Sequence, residues 1–184
     1  MSQPLYALLM AAGWAKTDQL IKFAKAIIER GYVLIGSGGT AKFLNAANVP
    51  TEDLATYVGG GEMLGHRVVS ISRQLAAQLI SNLKSEADTA EMASLNLPPI
   101  DLAYVNFYAL EDEIAKADCT RESVIDATDI GGPLAIRAAA KGRRVVIVDP
   151  SDIDGVLEWL DQGRPGEQVF LDYLAAKAEF IVTN

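Results

Sequence analysis

The chain has 184 residues, half of them hydrophobic, and a formal net charge of −8. That length suits a single domain, residues 1–184, with a real core. The acidic balance excludes a nonspecific nucleic-acid binder, because phosphate backbones attract basic surfaces, but not one small anion held by local amides and cations.

In chain order, MSQPLYALLM lacks a basic n-region and a long apolar h-region, so no signal peptide is expected. Within it, Leu5–Met10 reads as a buried strand. Asp18–Arg30 places Leu20, Phe23, Ala24, Ile27 and Ile28 at helical spacing, with Gly31 as the C′ residue. Tyr32–Ile35 is the next strand, Thr40–Ala47 the next helix, and Val49–Asp53 a short return strand. Tyr57–Leu64 is a glycine-rich loop, and Val68–Ile71 a strand or extended arm. Helices follow at Gln74–Asn82 and Ser85–Leu95, until Pro98-Pro99 breaks the pattern. Ile100–Phe107 reads as a strand, Tyr108–Lys116 as a short acidic segment, and Thr120–Ala127 as a helix capped by Thr120. Pro133–Lys141 is a helix with proline in its first turn, Arg144–Val148 a strand, and Asp152–Leu160 and Val169–Lys177 the closing helices. No run reaches the ~20 apolar residues of a membrane span.

Strands alternating with helices predict an α/β sandwich, three layers around a mainly parallel sheet. Ligands in such sheets bind at the carboxyl ends of the strands. Four groups of residues fall there. Gly36-Ser37-Gly38-Gly39-Thr40 joins a strand to a helix. Glycines let backbone amides approach an anion, and a helix N-terminus adds partial positive charge. The run is neither a Walker A motif nor GxGxxG, and by itself a plain turn explains it as well as a phosphate does. Asp129-Ile130-Gly131-Gly132 opens a helix that carries Arg137 and Lys141 on one face. A cap and a solvated stripe would account for it equally well. Asn106-Phe107-Tyr108 closes a strand, where edge packing is the simpler reading. Gly65-His66-Arg67 follows the glycine-rich loop, and Arg67 could clamp a phosphate. Cys119 is the single cysteine and His66 the single histidine, so no internal disulfide, metal site or Ser-His-Asp triad is expected. A cytoplasmic protein is the expectation.

Taken together and in order, GSGGTAKFL, EMLGHRV, PPIDLAYVNFY, DIGGPLAIRAAAK and VVIVDPSDIDGVL resemble the IMP cyclohydrolase domain of the bifunctional AICAR transformylase/IMP cyclohydrolase family. The resemblance runs from about Leu5 to about Lys177. It implies a methylglyoxal synthase-like fold and ring closure of a formamidoimidazole carboxamide ribonucleotide to IMP with loss of water, or the reverse, without a cofactor. The resemblance covers the cyclohydrolase domain and not the large transformylase domain, so formyl transfer is not implied. By position the resemblance assigns catalysis to Tyr108, Asp129 and Lys141. It assigns the ribonucleotide to Ser37, Gly38, Gly39, Thr40 and Arg67, with Lys16, Asn106 and Gly131 assisting. It also implies a homodimer, with neither nucleic acid nor membrane as a partner.

The chain departs from the family pattern at several points. Where the family reads G-R-V-K-T-L-H-P, this chain has Val69 for the lysine and Ser72 for the histidine. The family's S-V-S-D-K-T-G loop is replaced by Met10–Gln19, MAAGWAKTDQ, whose Trp14 could reshape the base pocket. A valine carries no charge and makes no hydrogen bond, and losing one oxyanion stabiliser typically costs ~10²–10³ in rate. The same residues therefore admit a second reading: a purine-nucleotide-binding or regulatory module of this fold that does no chemistry.

Overall fold

In this computed structural model, which describes residues 4–64, 68–107 and 110–183, five strands form one sheet. They are β1 (Leu5–Met10), β2 (Tyr32–Gly36), β3 (Glu52–Asp53), β4 (Ile100–Val105) and β5 (Val145–Ile147). Their order is β3-β2-β1-β4-β5, and every pair is parallel. Leu8 stands opposite Ile35 on one side and Ala103 on the other, which makes β1 the centre. Ala7, Leu8 and Leu9 have no exposed surface. A parallel strand covered on both faces reads as a continuous apolar run, which is how LYALLM reads.

The helices follow from the strand order. β1 steps to β2 and then β3 in one direction, and β4 steps to β5 in the other. Right-handed crossovers therefore place α1 (Asp18–Glu29) and α2 (Gly38–Ala46) on one face and α8 (Gly131–Lys141) on the opposite face. Between them in the chain come α3 (Leu54–Tyr57), α4 (Arg73–Ile80), α5 (Glu86–Ser94), α6 (Leu110–Ile114) and α7 (Arg121–Ala127). After β5 come α9 (Ile153–Asp161) and α10 (Glu167–Thr183). α9 packs beside α1, while α4 and α10 flank α8. Leu20, Phe23, Ala24 and Ile27 of α1 are buried, as their spacing predicts. Phe23 meets Tyr104 of β4 with ring centroids 5.7 Å apart. Each such large side chain stabilises by about 1.5–3 kcal/mol on burial.

Several boundaries differ from the sequence expectation. The return strand shrinks from Val49–Asp53 to Glu52–Asp53, because it only borders β2 at the edge. Val68–Ile71 is not a strand; Val68 makes a single antiparallel bridge with Met63. α2 and α8 both start on paired glycines rather than after them. α10 runs six residues beyond Lys177 because it continues over the sheet's β5 edge. Among the described residues no helix is long and apolar enough to cross a membrane.

At the exit of β5, Lys177 of α10 donates to Asp149 at 2.9 Å and to Asp152 at 2.8 Å. The Asp149 carboxylate also accepts the Ser151 amide at 2.9 Å. That amide and the Lys177 ammonium together depress the Asp149 pKa to about 2. A depressed carboxylate stabilises the fold above its unfolded pKa, and the contribution fades as pH falls towards the folded value. Asp149→Asn is therefore expected to lower stability at pH 7 by up to about 1 kcal/mol, discounted for its partial exposure. The gap should close as pH falls from about 4 towards 2. Urea unfolding at pH 7 and at pH 2 checks this; a gap that persists undiminished at pH 2 contradicts it.

Candidate functional site

The strand order reverses at β1, so the loops leaving β1 and β4 diverge to opposite faces and open a crevice at the carboxyl edge. Two helix N-termini face that edge. The first is α2. Its N-cap is Ser37, which makes no side-chain cap hydrogen bond, and Gly38 and Gly39 supply its first two helical positions. The turn is fixed from behind. Thr40 is fully buried, and its Oγ1 accepts the Ala11 amide at 2.9 Å. Ser37 Oγ lies 2.9 Å from the same Oγ1, and the Ser37 amide donates to Leu9 at 3.0 Å. Gly36 permits this packing, since a Cβ there would lie 2.9 Å from Thr51 Cγ2 and 3.0 Å from the Ala41 nitrogen.

Charge is arranged asymmetrically around that turn. Lys16 sits two residues past Trp14 and arches over α2, so that a Cβ on Gly39 would lie 2.8 Å from its Nζ. On the other side, a Cβ on Gly38 would lie 3.4 Å from Asp53 Oδ2 and 3.5 Å from Glu62 Oε1. An ammonium and uncapped helical amides thus converge on Gly39, which is what an anion requires. The flanking carboxylates can accept hydrogen bonds from ligand hydroxyl groups.

The second N-terminus is α8. Asp129 Oδ1 accepts the Gly132 amide at 3.1 Å. A Cβ on Gly132 would collide with Asp129 Oδ2 at 2.5 Å, and one on Gly131 with Ser70 Oγ at 2.1 Å. Both glycines are therefore needed for the close approach of Asp129 and Ser70 to the helix start. Phe107 lies against the same turn, 3.2 Å from the Gly132 Cβ position. Asn106, one residue earlier, donates its amide to Met10 at 2.8 Å and its Nδ2 to Val148 at 2.6 Å. Its buried Oδ1 has no partner among the described residues. Asn106 thus laces together the ends of β1, β4 and β5, and both helix starts lie at the carboxyl edge of the sheet.

The structure brings Lys16, Ser37, Gly38, Gly39 and Thr40 together, and separately Asn106, Asp129 and Gly131. Lys141 is not brought beside Asp129 within one chain: it ends the eleven-residue α8, whose first turn Asp129 precedes, and at 1.5 Å rise per residue the helix holds the two about 16 Å apart. Lys141 is exposed at the amino edge, beside Asp101 and Arg144. Arg67 and Tyr108, together with His66, lie outside the described residues. Val69 is half-buried and packs against the apolar core. Ser70 was not singled out from sequence. It is 7% exposed and touches Gly131, and a serine three residues after an arginine carries no signal of that contact. Among the described residues no group of His, Cys, Asp and Glu is arranged to hold a metal.

Removing the hydroxyl acceptor behind the turn has a calculable cost. Thr40→Val keeps the shape but leaves the buried Ala11 amide unpaired, so it should destabilise by about 1–3 kcal/mol. Urea unfolding reads this directly. A loss no larger than that of Ser37→Ala, whose hydroxyl is only half-buried, would show that Thr40 does not anchor the turn.

Comparison with known proteins places this geometry in context. The family model described as MGS-like domain matches residues 19–134. The chain is 38% identical over 145 residues to the bifunctional purine biosynthesis protein PurH of Lacticaseibacillus paracasei, covering 78% of this chain and 29% of that protein. It is 36% identical over 149 residues to PurH of Acidithiobacillus ferrooxidans, covering 80% and 29%. The chain thus spans under a third of the length of these relatives. A crystal structure of ForH superposes with a TM-score of 0.81 at 28% identity, covering 99% of this chain and 94% of that one.

Proposed function

The chain belongs to the MGS-like domain family, of the methylglyoxal synthase-like fold, and from that premise we propose that it binds a purine-type ribonucleotide and closes or reopens its second ring. The substrate class is a formamidoimidazole carboxamide ribonucleotide or a close analogue. Similarity to the bifunctional PurH proteins supports the purine side of the reading. The observation that carries it is the crevice, with an ammonium-topped helix start at one end and a carboxylate at the other.

In this proposal the 5′-phosphate rests on Gly38, Gly39 and Thr40 under Lys16, with Arg67 assisting. The ring lies towards Asp129. Its carboxylate takes a proton from the carboxamide nitrogen as that nitrogen attacks the formyl carbon. A C–N bond forms, the formyl oxygen gathers negative charge, and it leaves as water after protonation. Ser70 and the start of α8 stand near Asp129 to stabilise that oxygen, and Tyr108 follows Phe107 in the chain to protonate it. Within one chain Lys141 stands at the opposite end of α8 from Asp129. No cofactor is needed, because the step is a dehydration. We extend the proposal to a cytoplasmic homodimer that engages neither nucleic acid nor membrane. Incubation with 5-formamidoimidazole-4-carboxamide ribonucleotide should raise purine absorbance, and no product above background would refute the reading.

One observation favours a second reading. Val69 packs into the core at the position where the family carries a lysine. A nucleotide-binding module without chemistry would bind IMP in calorimetry and turn over no formamido substrate.

A further inference from the structure

The groove that receives Lys141 lies on the far side of the molecule from the crevice. It opens at the amino edge of the sheet, beside Asp101 of β4 and Val145 of β5, where α4 and α8 end and α10 begins. Its volume is about 580 Å³. Ligand pockets span roughly 300–1,000 Å³.

The charge of its walls runs against that of the chain. The protein carries −8 overall, yet the groove has five cationic side chains and only three carboxylates. The carboxylates are already engaged. Arg164 holds Asp101 at 3.1 Å and Glu167 at 3.5 Å, and Arg143 holds Asp172 at 2.7 Å. That leaves Lys84, Lys141 and Arg144, none of which makes an ion pair among the described residues.

Arg144 is the strongest of these observations. It is 2% exposed. Its Nη2 donates to the Ser81 carbonyl at 2.6 Å and to Ser81 Oγ at 2.9 Å, which caps the end of α4. Its buried Nε has no partner among the described residues. Burial pushes the guanidinium pKa down, with only the more distant Asp101 opposing. A buried cation whose one favourable carboxylate, Asp101, is already held by Arg164 is costly, and the capping carbonyls supply only partial charge. The capping role also leaves Lys84 unexplained. Ile80, Leu83 and Leu171 line the same groove, so it offers an apolar floor beside its cations.

We infer that this amino-edge groove binds a small organic phosphate, its anionic head drawn to Lys84, Lys141 and Arg144 and its body lying on the apolar floor. The site is separate from the crevice and does not depend on the function proposed for it.

Phenyl phosphate is a suitable probe, titrated by calorimetry into the full chain. The wild type should take up two equivalents. Lys16→Gln, which weakens the crevice, should keep one. Lys84→Gln/Lys141→Gln should keep the other and weaken the groove at least ~10-fold; both lysines are exposed, so the fold should tolerate the change. Inorganic phosphate should bind the groove more weakly than phenyl phosphate. A double lysine variant that titrates like the wild type overturns the inference, as does a single equivalent abolished by Lys16→Gln. Loss of the crevice equivalent alone would instead count against the function proposed above and leave the groove standing.

Discussion

Asp129→Asn is expected to lower turnover of the formamido ribonucleotide by about 10²–10⁴-fold, the range of a lost general base. The amide keeps an oxygen to accept the Gly132 amide, a contact of 3.1 Å in the native chain, so the start of α8 should survive. Thermal unfolding should therefore change little while kcat collapses. KM should hold near the wild-type value, because the proposed phosphate site lies at the other helix start. Progress curves at saturating substrate, with calorimetry on the variant, separate these quantities. Equal turnover in wild type and variant would remove Asp129 from the chemistry.

The largest stability effect is expected at Gly142, the C-cap of α8. A Cβ there would lie 1.9 Å from the Leu79 carbonyl oxygen, 3.0 Å from its carbon and 3.1 Å from Ile80 Cα. All three are backbone atoms of α4, so no flexible side chain can yield. The helices must separate, which also strains the Arg144 cap on Ser81. Gly142→Ala should cost about 3 kcal/mol, the upper end of ordinary overpacking. For a chain of this size that is about 6–12 °C in Tm. Gly155 is the control. It lies inside α9 with nothing within 4 Å of its Cβ position, so Gly155→Ala should raise stability by about 0.5–1 kcal/mol. Circular dichroism melts of the two variants should move in opposite directions.

Much of this fold can be read along the chain. LYALLM and the amphipathic Asp18–Glu29 stretch stand in the structure almost to the residue, because their periods match burial on two faces and on one. The ends of elements are less legible. Glycines at 38, 39, 131 and 132 look like loop residues by propensity, yet they are helical. Close approach by Lys16 and by Asp129 and Ser70 decides those positions, and such approach comes from distant segments. The phosphate turn could be recognised by its company of motifs. That Lys16 covers Gly39 could not, since it depends on how the loop after β1 arches. The distance between Asp129 and Lys141 was legible too, since an unbroken helix converts their spacing in the sequence into length.

The central place of β1 bears on how the chain reaches this state. One edge of β1 finds β2 within a short stretch of chain, but the other waits for β4, about ninety residues later. At ~5–20 residues per second, ribosomal synthesis leaves that edge open for roughly 5–20 s. During that interval a fully apolar strand exposes unpaired backbone, the condition under which chains pair with each other. Refolding from urea should accordingly be slow for the chain's size and most prone to aggregation at high concentration, with β1–β4 docking as the slow event.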